Sequence, residues 1–346
     1  MQSQDRISRL AALSLLLSAI ELFIPRFVPF FRIGLANIPL LMALNLDLQS
    51  YLQLALLKGI GTSLISGNLF SVFALISILQ SLCSALCMKA VKTIFREQIS
   101  VYGISVAGAA ASSITQITLA ALYAGQGTLT FLPILLGLSL PSSIITAHLS
   151  RKIPEPSYSL IEQESEKPST SLIALLVVTG CAMMMTENII LILLSCIAAF
   201  TLQKRAGRKI LLKPHALMLL FMLLSSVITP HGKVITTIFS LPITDGAIIN
   251  GLAKGLKLSG GIALSQAFSV FIKPGKGIIG KTVATFTMLL TAYRSSTGSI
   301  WQRFLTALKT NPPSNPSKTA INVPIFTLYG ISAIIIAFCI ADCVFF

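Results

Sequence analysis

Four stretches of this chain, 10–24, 70–88, 131–148 and 323–346, are predominantly apolar over most or all of a bilayer-crossing length, which for a helix is about 20 residues. No soluble core hides runs of that kind at such density. Of the 346 residues, 54% are hydrophobic and 11% are charged, against about 25% charged in a soluble domain. With lipid as the solvent, backbone N–H and C=O groups must be satisfied within each segment, which selects helices. The fold class expected is all-α: a polytopic membrane protein of about eleven transmembrane helices in two helical bundles.

Breakers between apolar runs divide the chain. Helices are expected near 8–24, 33–46, 51–66, 69–89, 101–124 and 130–148, several short enough to be tilted or re-entrant. Residues 151–170 hold three prolines and four glutamates without a hydrophobic period, the composition of a solvated linker. Further helices are expected near 171–185, 187–203, 214–229, 247–272 and 322–345. A basic stretch, 273–318, separates the last two, with an apolar segment at 277–292 and an amphipathic helix at 299–310. The division is therefore a six-helix domain 1–150, a cytoplasmic linker 151–170 and a second membrane domain 171–346.

Lys and Arg set the orientation. With the N-terminus in the cytoplasm, inside segments carry Arg6, Arg9, Lys89, Lys92, Arg96, Arg151, Lys152, Lys204, Arg205 and Arg208, whereas outside loops carry Arg26, Arg32 and Lys233. The chain is thus expected to be multi-pass in the cytoplasmic membrane, with 277–292 kept inside or along the interface. The same bias accounts for the net charge of +15. Nucleic acid is not an expected partner, because no run alternates aromatics with basic residues. The first apolar run lacks a small-x-small cleavage site and reads as a retained helix. Cys83, Cys87, Cys181, Cys196, Cys339 and Cys343 all fall in apolar segments, where packing explains them better than a metal.

Charges inside spans are costly and invite a functional reading. Glu21, Arg32 and Lys58, with Asn37 and Asn68, are candidates to line an outward-facing cavity. Arg32 is equally well read as snorkelling to outer headgroups, and Glu21 admits the same reading less readily. Lys58, in mid-helix, calls for a partner or a ligand. Ala11, Ser14 and Ser18 form a small-residue stripe that would let another helix approach closely. No phosphate-binding glycine loop, paired magnesium-binding carboxylates or nucleophile–histidine spacing is found, so no catalytic residues, cofactor or metal are expected.

The stretch Arg32-Ile33-Gly34-Leu35-Ala36-Asn37-Ile38-Pro39, followed by SLISGNLFS at 63–71 and GISVAGA at 103–109, resembles the Gx transporter family. These proteins are similar to substrate-binding S components of energy-coupling-factor (ECF) transporters and are often labelled heptaprenyl diphosphate synthase component I. The resemblance covers about 8–148 and implies a six-helix fold with a pocket toward the outer face. It places Glu21, Asn37, Gly67, Ser105, Gly108 and Gln116 at family positions. Lys58 stands where the family more usually has Arg, and Ser112-Ser113 replaces a His-Asn pair. Residues 232–260, GKVITTIFSLPITDGAIINGLAKGLKLSG, resemble the outer loop and following helix of the ECF transmembrane coupling (T) component. Its cytoplasmic Ala-Arg-small motif has its nearest counterpart in Ala292-Tyr293-Arg294-Ser295.

The function these resemblances imply is a membrane subunit of an ECF-type small-molecule transporter, an S-like module fused to a T-like one. Separate ATPase subunits would be partners, with Arg294 and Arg303 on the coupling surface and Glu21, Arg32, Asn37, Lys58, Asn68 and Gln116 around the substrate. The alternatives are a membrane subunit supporting an extracytoplasmic flavin or quinone redox system, and an accessory subunit of a prenyl diphosphate synthase.

Overall fold

A computed structural model describes residues 2–22, 33–69, 71–156, 158, 160, 170–238, 241–269, 277–309 and 325–345. It is almost entirely helical. In chain order the helices are α1 Gln2–Leu22, α2 Ile38–Met42, α3 Leu48–Ile65, α4 Val72–Phe95, α5 Val101–Ala124, α6 Leu132–Lys152, α7 Thr170–Met185, α8 Ile189–Arg205 and α9 Leu212–Ile228. Strands β1 Val234–Ile238 and β2 Leu241–Thr244 pair antiparallel. Then come α10 Asp245–Phe268, α11 Ile278–Ser295, α12 Ile300–Lys309 and α13 Ile325–Phe345. Among the described residues, four helical stretches are long and apolar enough to cross a membrane: Val72–Gln98, Val101–Tyr123, Gln126–Lys152 and Phe326–Val344. Ser171–Met185 and Leu212–Ile228 are apolar but shorter. The chain is a helical membrane protein.

Local chemistry explains where the helices begin. Asp47 caps α3 by accepting the Ser50 N–H at 3.0 Å, and Ser100 caps α5 by accepting that of Gly103 at 3.3 Å. Asn188 caps α8 through Ile190 N at 3.0 Å, and Thr244 caps α10 through Ala247 N at 3.3 Å. Each satisfies an N–H that the helix itself leaves without a partner. The N–H groups around Asp47 also hold its carboxyl below the usual carboxylate range.

The continuous helix expected over 33–46 is not formed. A 3-10 turn, Leu35–Asn37, leads into the five-residue α2, and the chain then turns through Ala43–Leu46. The Lys89 ammonium on α4 donates to the carbonyls of Leu44 at 2.7 Å and Leu46 at 2.5 Å. Carbonyls that a longer helix would have satisfied are thus taken by a distant cation.

Packing crosses the expected division of the chain. Helices α7, α8, α10 and α13 share one core, with Leu176, Met183, Cys196, Ala267, Phe268 and Ile335 fully or nearly buried. Helices α11 and α12 pack on α1 instead, where Met288, Leu289, Tyr293 and Phe304 cluster with Leu13, Leu16, Leu17 and Ile20. Asp5 pairs with Lys281 at 3.5 Å beside this seam. A second joint sets Phe73, Tyr123 and Phe131 against Met218, Phe221 and Leu258. There the Phe131 and Phe221 rings lie 5.1 Å apart, and Thr128 Oγ1 meets Ser225 Oγ at 2.9 Å.

The start of the expected linker is not solvated. Ile153, Pro156 and Tyr158 are buried, and Tyr158 Oη donates to Arg9 O at 2.7 Å. Apolar side chains between prolines give this extended segment something to bury, while Glu155 reaches Arg6 at 2.7 Å. The cysteines also differ from expectation. Cys196 and Cys339 are buried, Cys87 is half-buried, and Cys83, Cys181 and Cys343 face outward, which costs nothing for a thiol against lipid.

Candidate functional site

Helix α1 is buried along nearly its whole length from Ile7 to Glu21, and its two faces do different things. At 100° per residue, Ala11, Ser14, Ser18 and Glu21 fall on one side, and Leu13, Leu16, Leu17 and Ile20 fall opposite. The leucine side meets α11. The small-residue stripe read as a docking face for the second block turns inward instead. Ala11 packs among Leu40, Leu41, Tyr51 and Leu54, Ser14 Oγ donates to Ala36 O at 2.8 Å, and Ser18 and Glu21 line a cavity. The leucine side is the bulkier one, and it is the side that α11 covers.

The cavity, of about 80 Å³, lies between α1, the 35–37 turn, α3, α4, α5 and α6. Gly34, at φ +83°, opens the turn in the left-handed region that glycine adopts without a steric penalty. Its N–H is thereby aimed at Glu21 Oε1, 2.9 Å away. Lys58 Nζ donates to Asn37 Oδ1, from the same turn. Gly59 lets α3 come close to α4: a Cβ there would stand 2.8 Å from the Ile78 Cα. That approach brings Lys58 and Thr62 to the cavity beside Ser77 and Gln80 of α4. Helix α5 adds Ser105, Ser112, Ser113 and Gln116, and α6 adds Ser139, Ser142, Ser143 and Thr146.

Four residues picked out in the sequence, Glu21, Asn37, Lys58 and Gln116, therefore line one cavity, with Ser18 of the stripe beside them. Arg32 lies outside the described residues. Asn68 is elsewhere, in the α3–α4 turn, where its backbone bonds Ser63 O and Ser71 N; the adjoining Gly67 abuts Gln266 of α10. Arg294 is exposed at the end of α11. Arg303 is engaged within the chain, its guanidinium 4.5 Å over the Tyr293 ring and its Nε donating to Tyr293 O at 3.1 Å. On α12, Phe304 and Leu308 pack into the cluster shared by α1 and α11. Phe304 and Ala307 are buried, while Ile300 and Trp301 are exposed.

Sequence reading missed the α6 hydroxyls, Thr62, Ser77 and Gln80. The signal for α6 was present in the i, i+3, i+4, i+7 spacing of Ser139, Ser142, Ser143 and Thr146, which places four hydroxyls on one helical face. Chemically the site is a polar chamber in an apolar surround. Ten of its lining side chains carry hydroxyls, three carry amides, and Glu21 and Lys58 add one carboxylate and one ammonium.

Residues 10–153 match the family described as heptaprenyl diphosphate synthase component I, the family suggested by the 32–39 motif. Every residue lining the cavity falls inside this match. Residues 170–268 match a second family, described as a domain of unknown function (DUF8519), which ends with α10 and stops short of α11. No curated protein and no solved structure matches the chain.

Proposed function

We propose, from the family match of residues 10–153, that this chain is the membrane subunit of an ECF-type small-molecule transporter. The first block binds the substrate in its cavity. The second block acts as a T-like scaffold, and separate ATPase subunits supply the energy. The observation that carries this reading is the polar chamber itself. Hydroxyls, amides and two charges gathered around one chamber inside apolar helices are costly to place there, and their remaining hydrogen-bonding capacity suits a polar ligand held out of the lipid. Its charged donor set also favours binding over diphosphate chemistry. Glu21 is the one carboxylate among the lining residues, and Lys58 is the one cation beside it to meet the charge of a diphosphate.

A surface for the ATPases is available on α11 and α12. Arg294 is exposed there, and α12 presents Ile300 and Trp301 to the outside. This surface is tied through Tyr293 and Phe304 to the leucine side of α1, whose opposite side carries Ser18 and Glu21 into the cavity.

Native mass spectrometry of the detergent-purified protein tests the reading. Wild type should carry a small molecule that leaves on denaturation, and Lys58→Met, inserted and purified to the same level, should not. Equal retention by both removes Lys58 from the binding site. Uptake of that molecule that persists in cells lacking the candidate ATPases overturns the ECF mechanism.

A further inference from the structure

The direction of the hydrogen bonds in the cavity wall restricts what can bind there. A hydroxyl offers one proton and two lone pairs. On α6, Ser139 gives its proton to Leu136 O at 2.8 Å, Ser142 to Ser139 O at 2.9 Å, Ser143 to Leu140 O at 2.7 Å and Thr146 to Ser142 O at 2.8 Å. Ser105 on α5 gives its own to Ser143 O at 2.8 Å. All five residues are buried and line the cavity. With their protons committed to helix carbonyls, what remains is a wall of lone pairs.

Two observations independent of that wall point the same way. Gln80 Oε1, on the α4 side, is buried without a hydrogen-bond partner, and so is Thr62 Oγ1 on α3; Thr62 itself is only 5% exposed. Buried polar atoms of this kind are normally satisfied, and both residues line the cavity. The remaining charges, Glu21 and Lys58, are opposite in sign and stand at the same turn, on Gly34 and Asn37 respectively. The two charges sum to zero, so the lining carries no net charge to balance that of a strongly charged molecule.

We propose that the cavity takes a compact, overall neutral molecule rich in N–H and O–H donors, of polyol, sugar-like or zwitterionic character. Its donors face the α5–α6 hydroxyl oxygens and Gln80. Thr62 Oγ1 bonds it from α3. Against the α5–α6 wall an acceptor-only anion would set lone pairs against lone pairs, and a prenyl chain would cover these oxygens without bonding them. This inference rests on the substrate-binding reading of the cavity and narrows it to a chemical class.

The α6 hydroxyls make a clean test, because each carbonyl they bond is also served by its helix, so serine-to-alanine changes leave the fold intact. Full-length protein in detergent is titrated with myo-inositol, ribitol and serine as neutral donor-rich probes. Succinate, spermidine and geranyl diphosphate serve as an anion, a cation and a prenyl compound, and thermal unfolding is the readout. At least one neutral probe should give a saturable upward shift, weakened roughly tenfold in the Ser139→Ala/Ser143→Ala variant. A saturable shift with a charged or prenyl probe that the variant leaves unchanged overturns the proposal. So do neutral probes that act alike on both proteins. Where a molecule co-purifies, its mass in light and heavy water counts its exchangeable hydrogens: three or more support the class, and none or one overturns it. Loss of that molecule in Lys58→Met is a separate outcome, which bears on the site and not on the class.

Discussion

Replacing Gly127 by alanine should open the joint between the two halves of the chain. Gly127 lies just before α6, against α9, and a Cβ added there would stand 2.5 Å from the backbone oxygen of Ser225 and 3.1 Å from Ile228 Cβ. Carbon and carbonyl oxygen first touch comfortably at about 3.3 Å, so the two backbones must part by roughly 0.8 Å. No rotamer change relieves a contact with a main-chain atom. The same movement stretches the buried Thr128–Ser225 hydroxyl pair, now at 2.9 Å, out of hydrogen-bonding range. Overpacking and the lost bond together cost about 2–4 kcal/mol. The assay is disulfide trapping: Thr128→Cys and Ser225→Cys, in a background without the six native cysteines, should cross-link quickly under mild oxidation. Adding Gly127→Ala should slow trapping several-fold and lower the thermal unfolding temperature. Undiminished trapping with unchanged stability would refute the close approach at this joint.

Two further outcomes test orientation and capping. With the N-terminus in the cytoplasm, as the charge bias predicts, single cysteines at Lys152 and Lys233, both exposed, should differ in intact cells. An impermeant thiol reagent should label position 233 and spare 152, and the reverse pattern rules out the orientation. Asp47, whose carboxyl is held below its ordinary value by the Ser50 N–H, should stabilise the start of α3 fully above about pH 3.9, losing that contribution as pH falls through the lower folded value. Amide protection over residues 48–52, relative to the intrinsic exchange rate, should therefore fall in acid for wild type, with Asp47→Asn removing that fall; identical profiles would count against the cap.

Much of the fold was legible because apolar runs here end at residues with a capping chemistry. Thr244, Asn188 and Ser100 mark the starts of α10, α8 and α5, and the expected bounds of those helices fall within a few residues of the observed ones. The 33–46 segment was not legible, because the carbonyls just past α2 are taken by Lys89, more than forty residues away. Nor was the seam between α1 and α11: leucine against methionine leaves no contrast in a chain whose lipid-facing residues are equally apolar. In the cavity, Glu21, Asn37 and Lys58 stood out as two charges and an amide in apolar surroundings, and Gln116 followed from the family resemblance. The α6 serines did not, since serine is tolerated throughout membrane helices and only their shared helical face, not their residue type, set them apart. Asn68 had the same polarity as Asn37 but sits in a turn, where an asparagine is at home for local reasons.

The leucine side of α1 carries a consequence for how the protein is made. Helix α1 leaves the ribosome well before its partner α11, which follows about 250 residues later, an interval of roughly 12–50 s at ordinary elongation rates. Throughout that wait the part of Leu13, Leu16, Leu17 and Ile20 that α11 will cover is left to lipid. Lipid tails are as apolar as leucine, so an unpartnered leucine face is at no disadvantage there, whereas a polar seam would be exposed at a cost and would recruit wrong neighbours. Assembly order thus favours the arrangement observed: the polar side of α1 is enclosed by α2 to α6, which are made next, and the side left for the late arrival is the one that can wait.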